Sequence, residues 1–358
     1  MTLRLAVKLL FASSILLPFG RLALTQTAPP AAPATEAAGD DSSVHEGGWK
    51  HTIEVDLVAE KFDDLDRMAD EYRRDKSRLP GGDWKLRAFY EILDAPQLTD
   101  KDSVEHLDHL HHWMKLRPES ITARVALATS LTRWAWVARG NGLANTVTPE
   151  GWRLFGERAG EAYVVLEGSR DMKIMCPQWY TEMMTVGLAQ GWDISRVQEV
   201  FARGIQFEPD YQYLYTQYAN YLLPKWYGKS GDSSAFAKTS ADKLGDRGDL
   251  LYFQIVGSLI HQGNGKLQVA NEEIDWPRVQ RGYASLIAAY GQNRHRANQL
   301  AYMAFRFRDR EVAQQQFAYI GDKWSLNVWK DRKLFDRARD WANGQTSWPP
   351  TPAPTPGS

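Results

Sequence analysis

The chain has 358 residues, of which 43% are hydrophobic and 24% are charged, which is the composition of an ordinary globular protein. Its 43 Lys and Arg residues nearly balance its 44 Asp and Glu residues, so the chain has no basic field for a polyanion and no nucleic-acid partner is expected. The single cysteine, Cys176, excludes an internal disulfide and a cysteine zinc site, and we expect it to be a small apolar filler.

The N-terminus has the order of features that is typical of a secretory signal peptide. Arg4 and Lys8 precede the apolar run 9–17, and smaller residues follow that run. The run is short for a bilayer span, so no transmembrane segment is expected once residues 1–25 have been removed. We therefore expect an exported protein, periplasmic or secreted. The alternative is a protein that an uncleaved signal tethers to the membrane.

Two segments that are poor in large apolar side chains flank the predicted folded part. Residues 26–49 are rich in Pro, Ala and Ser, and residues 344–358 form a Pro-rich tail. Neither segment can bury enough apolar area to offset the entropy cost of folding, so both are predicted to be disordered. The folded domain is predicted to cover residues 50–343.

Apolar residues recur at spacings of three and four through the folded domain, and no alternating run demands a strand. The fold is therefore predicted to be all-α. Thr148 is a predicted helix cap, with Pro149 in the first turn that follows it. The predicted helices are 56–76, 84–93, 102–116, 120–139 and 149–167, three short helices between Pro177 and Pro224, and then 235–244, 250–261, 276–290, 294–307, 310–320 and 328–341.

Residues 294–325 resemble a tetratricopeptide repeat. The small and apolar positions of that motif are occupied here by Leu300, Ala301, Ala304, Ala313, Phe317 and Ile320. Small residues let two helices approach closely, and the aromatic residue fills the gap between them. Residues 178–211 match less fully, since they share Phe201 and Pro209 with the motif but have Thr181 where a Trp is usual. The resemblance implies an α-solenoid, that is, a stacked array of antiparallel helix pairs.

The chain also resembles a bacterial family that is known only as a domain of unknown function. The resemblance is carried by the segments Phe62–Asp66, Leu79–Leu86, Ala135–Gly140 and Tyr221–Gly228. It implies no activity.

The tetratricopeptide register predicts a groove lined by the first helix of each pair. In that register the side chains that point into the groove are Trp179, Glu182, Met183, His295, Asn298, Tyr302 and Arg306. Such grooves bind extended peptides through polar contacts, and the alternative is that these side chains are merely solvated. The predicted function is a scaffold that binds a protein or a peptide, with no catalysis and no cofactor.

One helix is rich in histidine, and it gives the candidate metal ligands Asp102, Glu105, His109 and His112. At 100° per residue the four fall in one wedge of the helix surface, where they could share a divalent ion. A metal site normally recruits ligands from a second element, so the alternative is a solvated polar face, and no metal is expected.

An alternative function is binding or cleavage of cell-wall glycans, suggested by the expected export together with the 14 Trp and 15 Tyr residues. Glu119 and Ser120 resemble the Glu-Ser pair of lytic transglycosylases, but the Gly-Leu-Met-Gln segment that should follow is absent. Most of the aromatic residues are expected to pack in the core, and a minority could stack on a sugar.

Overall fold

The apolar stripes of the sequence pack helix against helix, and the described part of the chain is all-helical. The structure, a computed structural model, describes residues 42–94, 99–140, 142–262 and 273–347. The predicted signal peptide, residues 26–41 of the predicted tether and residues 348–358 of the predicted tail lie outside the described residues.

Sixteen α-helices occupy the described residues. They are α1 (Ser42–Val58), α2 (Phe62–Asp75), α3 (Lys85–Leu93), α4 (Asp100–Leu116), α5 (Ile121–Arg139), α6 (Pro149–Glu167), α7 (Pro177–Ala189), α8 (Ile194–Phe207), α9 (Gln212–Tyr221), α10 (Asp232–Asp242), α11 (Gly248–Gln262), α12 (Trp276–Tyr290), α13 (Arg294–Phe307), α14 (Arg310–Ile320), α15 (Leu326–Trp329) and α16 (Arg332–Ala342). In this part of the chain β pairing is limited to one isolated bridge, between Arg78 and Trp84. None of these helices combines the length and the apolar character that a bilayer span requires.

Most consecutive helices pack as neighbours, and the odd-numbered helices from α3 onward also touch one another. The closest neighbours include α5 with α6, α11 with α12 and α13 with α14. In addition α3 contacts α5, α5 contacts α7, α7 contacts α9, α9 contacts α11 and α11 contacts α13. The odd-numbered helices from α3 to α13 therefore form one continuous row, against which even-numbered helices pack.

The positions that carry the tetratricopeptide resemblance lie in the core. In α13 and α14 the side chains of Leu300, Ala301, Ala304, Ala313, Phe317 and Ile320 are all buried, as predicted. Cys176 is also buried, immediately before α7, where its Sγ lies 3.5 Å from the hydroxyl of Tyr90. The thiol is thus a core group.

Two predicted helices are corrected by the structure. The helix predicted over 56–76 is two helices, α1 and α2, separated at Glu60, which has a left-handed φ of 55°. The helix predicted over 328–341 is likewise split into α15 and α16, with Lys330 at a φ of 60°. The helix α1 begins at Ser42, and the predicted domain bounds stay predictions.

The first of these breaks has a packing reason. Leu57 and Phe62 are both buried, one on each side of the break. Five residues apart on a straight helix, they would point about 140° away from each other. The break at Glu60 lets both face the core, and no Gly or Pro marks it in the sequence.

The segment between α2 and α3 reaches across to helices far along the chain. Arg78 donates to the Gln212 side chain at the start of α9, and Trp84 Nε1 donates to the Asp210 carbonyl. Arg296 of α13 donates to the Gly81 carbonyl and to Asp83 Oδ1. This segment therefore ties α9 and α13 to the N-terminal helices.

Candidate functional site

Two adjoining cavities lie along the row of odd-numbered helices. Their volumes are about 380 Å³ and about 320 Å³. Tyr213 and Thr216 of α9 line both, so together they form what we call the cleft. We call the larger one the acid cavity, because Asp94 and Glu182 line it. We call the smaller one the amide cavity, because side-chain amides such as those of Gln212 and Gln299 line it.

Glu182 is the most deeply buried acid of the acid cavity. It projects from α7 and is 4% exposed. Removal from water raises its pKa to about 7, which the charge of Asp94 reinforces and a hydrogen bond with Thr132 opposes. Glu182 therefore changes its charge close to neutral pH, which is typical of residues at functional sites.

Asp94 lies at the C-terminal end of α3 and forms an ion pair with Arg133 of α5. Burial raises the pKa of Asp94 to about 6, although the hydrogen bond from Arg133 opposes that shift. The second cation of the cavity, Arg87, is paired with Glu91, with Nε and Oε1 2.8 Å apart. Each arginine of the cavity is thus paired with a carboxylate of α3.

Two threonines of α5 contact Glu182. Thr129 and Thr132 donate their hydroxyl protons to the carbonyls of Val125 and Ala128, at 2.8 and 2.7 Å. Thr129 Oγ1 also donates to Glu182 Oε2, at 3.3 Å. Hydrogen bonds donated to the carboxylate favour its charged form, so the two threonines oppose the rise in the pKa of Glu182 that burial causes.

Several polar atoms of the acid cavity are buried and lack a hydrogen-bond partner within the described residues. They are Asp94 Oδ1, Glu182 Oε1, Thr181 Oγ1 and Arg133 Nε. Buried polar groups are nearly always paired in folded proteins, so four such atoms at one cavity mark it as a place where a ligand or water can supply the missing bonds.

The amide cavity offers hydroxyl and amide groups instead of unpaired acids. Two acids line it: Asp83 accepts hydrogen bonds from the Tyr213 hydroxyl at 2.8 Å and from Arg296 Nη2 at 2.6 Å, and Glu91 pairs with Arg87. The side-chain amides that line it are Gln212, Gln254, Gln299 and Asn327. Such groups can both donate to and accept from a peptide backbone.

A third cavity, of about 420 Å³ between α12, α13 and α14, is larger but chemically poorer. Glutamines, tyrosines and aliphatic side chains line it, and no acidic or basic residue is among them. It offers no group that titrates near neutral pH, so we place the candidate site in the cleft.

The seven side chains of the predicted groove are placed differently from one another. Glu182 lines the acid cavity and His295 lines the amide cavity, where its Nδ1 lies 3.2 Å from Ser325 Oγ. Arg306 is exposed near the end of α13 and lines neither cavity. The remaining four are buried in the core: Trp179, Met183, Asn298 and Tyr302.

The four core residues have structural partners. Trp179 Nε1 donates to the Leu166 carbonyl at 3.0 Å, and Asn298 Oδ1 accepts from Trp329 Nε1 at 2.8 Å. Tyr302 packs edge-to-face on Trp329. The predicted register put these side chains in a groove, but α7 and α13 are enclosed by neighbouring helices on most sides.

The candidate metal ligands on α4 do not converge. Asp102 caps the start of α4 by accepting from the Thr99 amide, and Glu105 pairs with Lys101. His109 and His112 both face Glu60 of the α1–α2 link, and His112 Nδ1 lies 2.8 Å from Glu60 Oε1. No group of three or more potential metal ligands occurs among the described residues.

The glycan alternative depends on Glu119 and on aromatic side chains that are free to stack on a sugar. Glu119 is exposed, and Ser120 caps α5 by accepting from the Ala123 amide at 2.9 Å. Trp152 is 40% exposed, whereas the tryptophans Trp84, Trp113, Trp179, Trp192, Trp329 and Trp341 are buried. Trp136 is the one tryptophan that lines the acid cavity.

Sequence reasoning missed Asp94, Arg87 and Arg133. They lie on two different helices from Glu182, and only the packing of α3 and α5 beside α7 brings them together. No spacing rule links residue 94 to residue 182. A signal does exist at Glu182 itself, since it is the one charged residue of α7, and a charge in a mainly apolar helix is a candidate for a functional group.

Residues 52–193 match a family model described as "Domain of unknown function (DUF4034)". The match covers less than half of the chain and supports the predicted resemblance over that stretch. It includes Arg87, Asp94, Arg133 and Glu182, but it ends before α9. Comparison with curated proteins and with solved structures found no match.

Proposed function

We propose that the chain is an exported helical-repeat protein of the tetratricopeptide type that binds a peptide or protein partner in the cleft, without catalysis of its own. The observation that carries the proposal is the cleft itself. Successive odd-numbered helices line it with hydroxyl, amide and charged side chains, and Tyr213 and Thr216 join its two cavities. Extended peptides are bound in grooves of this kind through polar contacts to the backbone.

Two further observations support the repeat assignment. The odd-numbered helices form a row, as the first helices of stacked repeats do. In α8, Gly204 lets the helix approach its neighbours, because an added Cβ would lie 2.8 Å from Leu214 Cδ2 and 3.1 Å from Tyr180 Cβ.

The proposed binding is tested by blocking the cleft. A library of random peptides displayed on phage is selected on the purified chain, and the enriched peptides are titrated against two variants. Thr216→Trp places an indole where the two cavities meet, whereas Thr239→Trp makes the same change at an exposed position of α10. We expect Thr216→Trp to abolish binding and Thr239→Trp to leave it unchanged. Equal binding by the two variants would place the peptides outside the cleft, and failure to enrich any peptide would contradict the proposed function.

Export is tested separately from binding. Residues 1–50 are fused to alkaline phosphatase, which is active only outside the bacterial cytoplasm. We expect an active fusion whose signal is cleaved near residue 25. An active but uncleaved fusion would support the membrane-tethered alternative, and an inactive fusion would contradict export.

A second candidate function, a glycan-active protein, is favoured by one observation. Glu182 is a buried acid in a cleft with a pKa raised to about 7, and a second carboxyl group, Asp94, lines the same cavity. Glycosidases use a pair of carboxyl groups of this kind, one of them with a raised pKa. Incubation with peptidoglycan fragments decides between the candidates. Cleavage by the wild type but not by Glu182→Gln would favour this second function, and the absence of cleavage would exclude it.

A further inference from the structure

The acid cavity presents hydrogen-bond acceptors that no described residue fills. Asp94 Oδ1, Glu182 Oε1 and Thr181 Oγ1 are buried and unpartnered within the described residues. Asp94 and Glu182 are 7% and 4% exposed, so bulk solvent has little access to them. Leaving a buried acceptor unpaired costs about 1–3 kcal/mol. The cavity that these residues line therefore favours a ligand that carries several hydrogen-bond donors.

Of the two acids that line the acid cavity, Asp94 has an ion-pair partner, whereas Glu182 has none when it is ionised. Arg87 is paired with Glu91, and Arg133 is paired with Asp94. Among the described residues Glu182 takes part in no ion pair, although Arg87 acts on it from a distance. One incoming positive charge would complete the set, and a buried carboxylate that lacks such a partner is strongly disfavoured.

Aromatic side chains also line the acid cavity. Trp136 lines the same cavity as Glu182, and so does Tyr213. Each ring already contacts a cation, since the guanidinium of Arg139 lies 5.6 Å from the Trp136 ring centre and that of Arg87 lies 5.3 Å from the Tyr213 ring centre. Aromatic faces attract cations through the ring quadrupole, and tryptophan does so most strongly. The combination of carboxyl oxygens, a hydroxyl group and an indole suits a compact cation better than a third guanidinium, since Arg87 and Arg133 already line the cavity.

We propose that the acid cavity binds a primary ammonium group, whose three N–H donors are received by Asp94 Oδ1, Glu182 Oε1 and Thr181 Oγ1. This inference deepens the proposed function. It rests on that function in one respect, namely that the molecule carrying the ammonium group is a peptide. The group is either a lysine side chain or the N-terminus of that peptide. Arg133 Nε, a buried donor without a partner in the described residues, would pair with the carbonyl next to an N-terminal amine, which a lysine side chain lacks.

Binding is expected to release a proton, because Glu182 must ionise to pair with the cation. The titratable and charged groups that line the cavity are Arg87, Asp94, Arg133, Glu182 and Tyr213. The arginines stay charged, and burial holds the pKa of Tyr213 well above its usual value. Between pH 6 and 8 the charge therefore changes at Asp94 and Glu182, whose pKa values are raised to about 6 and about 7. Affinity for ammonium should rise with pH across this range.

The test is calorimetric titration of the full chain with small amines, which needs no peptide partner. The probes are n-butylammonium, which mimics lysine, and glycinamide, which mimics an N-terminus, with neutral 1-butanol as the matched control. The variants are Glu182→Gln and Thr181→Val, with Glu105→Gln at the exposed face of α4 as the matched control. Titrations at pH 6.5 in two buffers of different ionisation enthalpy count the protons released.

We expect one of the two amines to bind saturably, with up to about one proton released. Glu182→Gln should weaken binding at least about tenfold and remove the proton release, and Thr181→Val should weaken it less. Tighter binding of glycinamide identifies an N-terminus, and tighter binding of n-butylammonium identifies a lysine. The inference is overturned if 1-butanol binds as well as the amines, if neither amine binds, or if Glu182→Gln binds like Glu105→Gln. Phage selection that succeeds while these titrations fail would leave the proposed function standing and remove the ammonium subsite alone.

Discussion

Glu182 is expected to hold its proton at a pH where an ordinary glutamate has lost it. Its contribution to the free energy of unfolding therefore depends on pH. In the unfolded chain Glu182 ionises near pH 4.5, and in the folded chain near pH 7. The folded state therefore binds the proton more tightly, so the contribution of Glu182 to stability falls as pH rises from about 4.5 to about 7. Asp94 acts in the same direction, since its pKa is also raised.

Glu182→Gln should consequently stabilise the protein at pH 8 and change little at pH 5. Glutamine keeps the shape of the protonated acid and cannot ionise, so it avoids a cost of up to about 3 kcal/mol at pH 8. Thermal unfolding at both pH values measures the difference from the wild type. Glu105→Gln, at an exposed acid of α4, should be neutral at both. A difference between Glu182→Gln and the wild type that is the same at pH 5 and pH 8 would show that Glu182 is not buried in a protonated form.

At the scale of the residue, the sequence predicts part of this site. The repeat register selects Glu182 and His295, which do line the cleft, together with Trp179 and Asn298, which do not. The register fails at the latter two because α7 and α13 are covered on most sides, so helical periodicity in them no longer distinguishes a groove from a core. Asp94 could not be predicted, since its role depends on the packing of α3 and α7 against α5, which only the tertiary structure creates.

At the scale of the element, helix boundaries are predicted best where a side chain caps the helix. The structure places α12, α13 and α14 at their predicted bounds, and each is preceded by an Asp or Asn that accepts from a backbone amide of the first turn: Asp275, Asn293 and Asp309. The missed break between α1 and α2 has no such signal. There Lys61 occupies the capping position but its side chain makes no capping hydrogen bond, and the left-handed residue is a glutamate.

The pairing of α11 with α12 depends on a glycine that has no room for a side chain. A Cβ at Gly282 would lie 2.0 Å from the Asp249 carbonyl oxygen. Asp249 cannot shift easily, because its carboxylate is held by Arg278 and Arg281 at 2.7 Å each. We expect Gly282→Ala to lower the free energy of unfolding by about 1–3 kcal/mol.

The matched control for that change is Gly160→Ala in the middle of α6. A Cβ there meets nothing within 4 Å, and alanine is the better helix former, so Gly160→Ala should stabilise by up to about 1 kcal/mol. Urea denaturation of both variants gives the two values. If Gly282→Ala raised the free energy of unfolding as Gly160→Ala is expected to, helix propensity would outweigh the close approach of α12 to α11.

At the scale of the whole molecule, the segment between α2 and α3 connects distant parts of the chain through Asp83. Its carboxylate accepts from Arg296, which is 8% exposed, and from the Tyr213 hydroxyl. Asp83→Ala would leave the Arg296 guanidinium buried without its charge partner. Because the Asp83 side chain is itself 32% exposed, we expect a loss of about 2 kcal/mol, less than for a fully buried pair.

Asp322→Ala is the control for Asp83→Ala. Asp322 also pairs with arginine, at 2.9 Å from Arg339, but its side chain is 83% exposed and such pairs contribute little. Chemical denaturation compares the two variants. Equal losses would show that the contact between Asp83 and Arg296 does not hold α13 against the N-terminal helices.

The stretch that matches the family model is not expected to fold by itself, although a match often marks a domain. From Glu46 onward the chain forms one compact unit, and the matched residues end at Asp193, the capping residue of α8. A fragment of residues 42–193 would expose the faces of α7 that α8 and α9 cover, and would leave Trp84 without its contact to Tyr211. We expect this fragment to aggregate, or to unfold without a cooperative transition, whereas residues 42–347 unfold cooperatively. Size-exclusion chromatography and circular dichroism during thermal unfolding distinguish the two. The expectation is contradicted if the fragment is monomeric and unfolds in a sharp transition at the same midpoint temperature as residues 42–347. The matched stretch would then be an independent domain, and the cleft would lie between two domains.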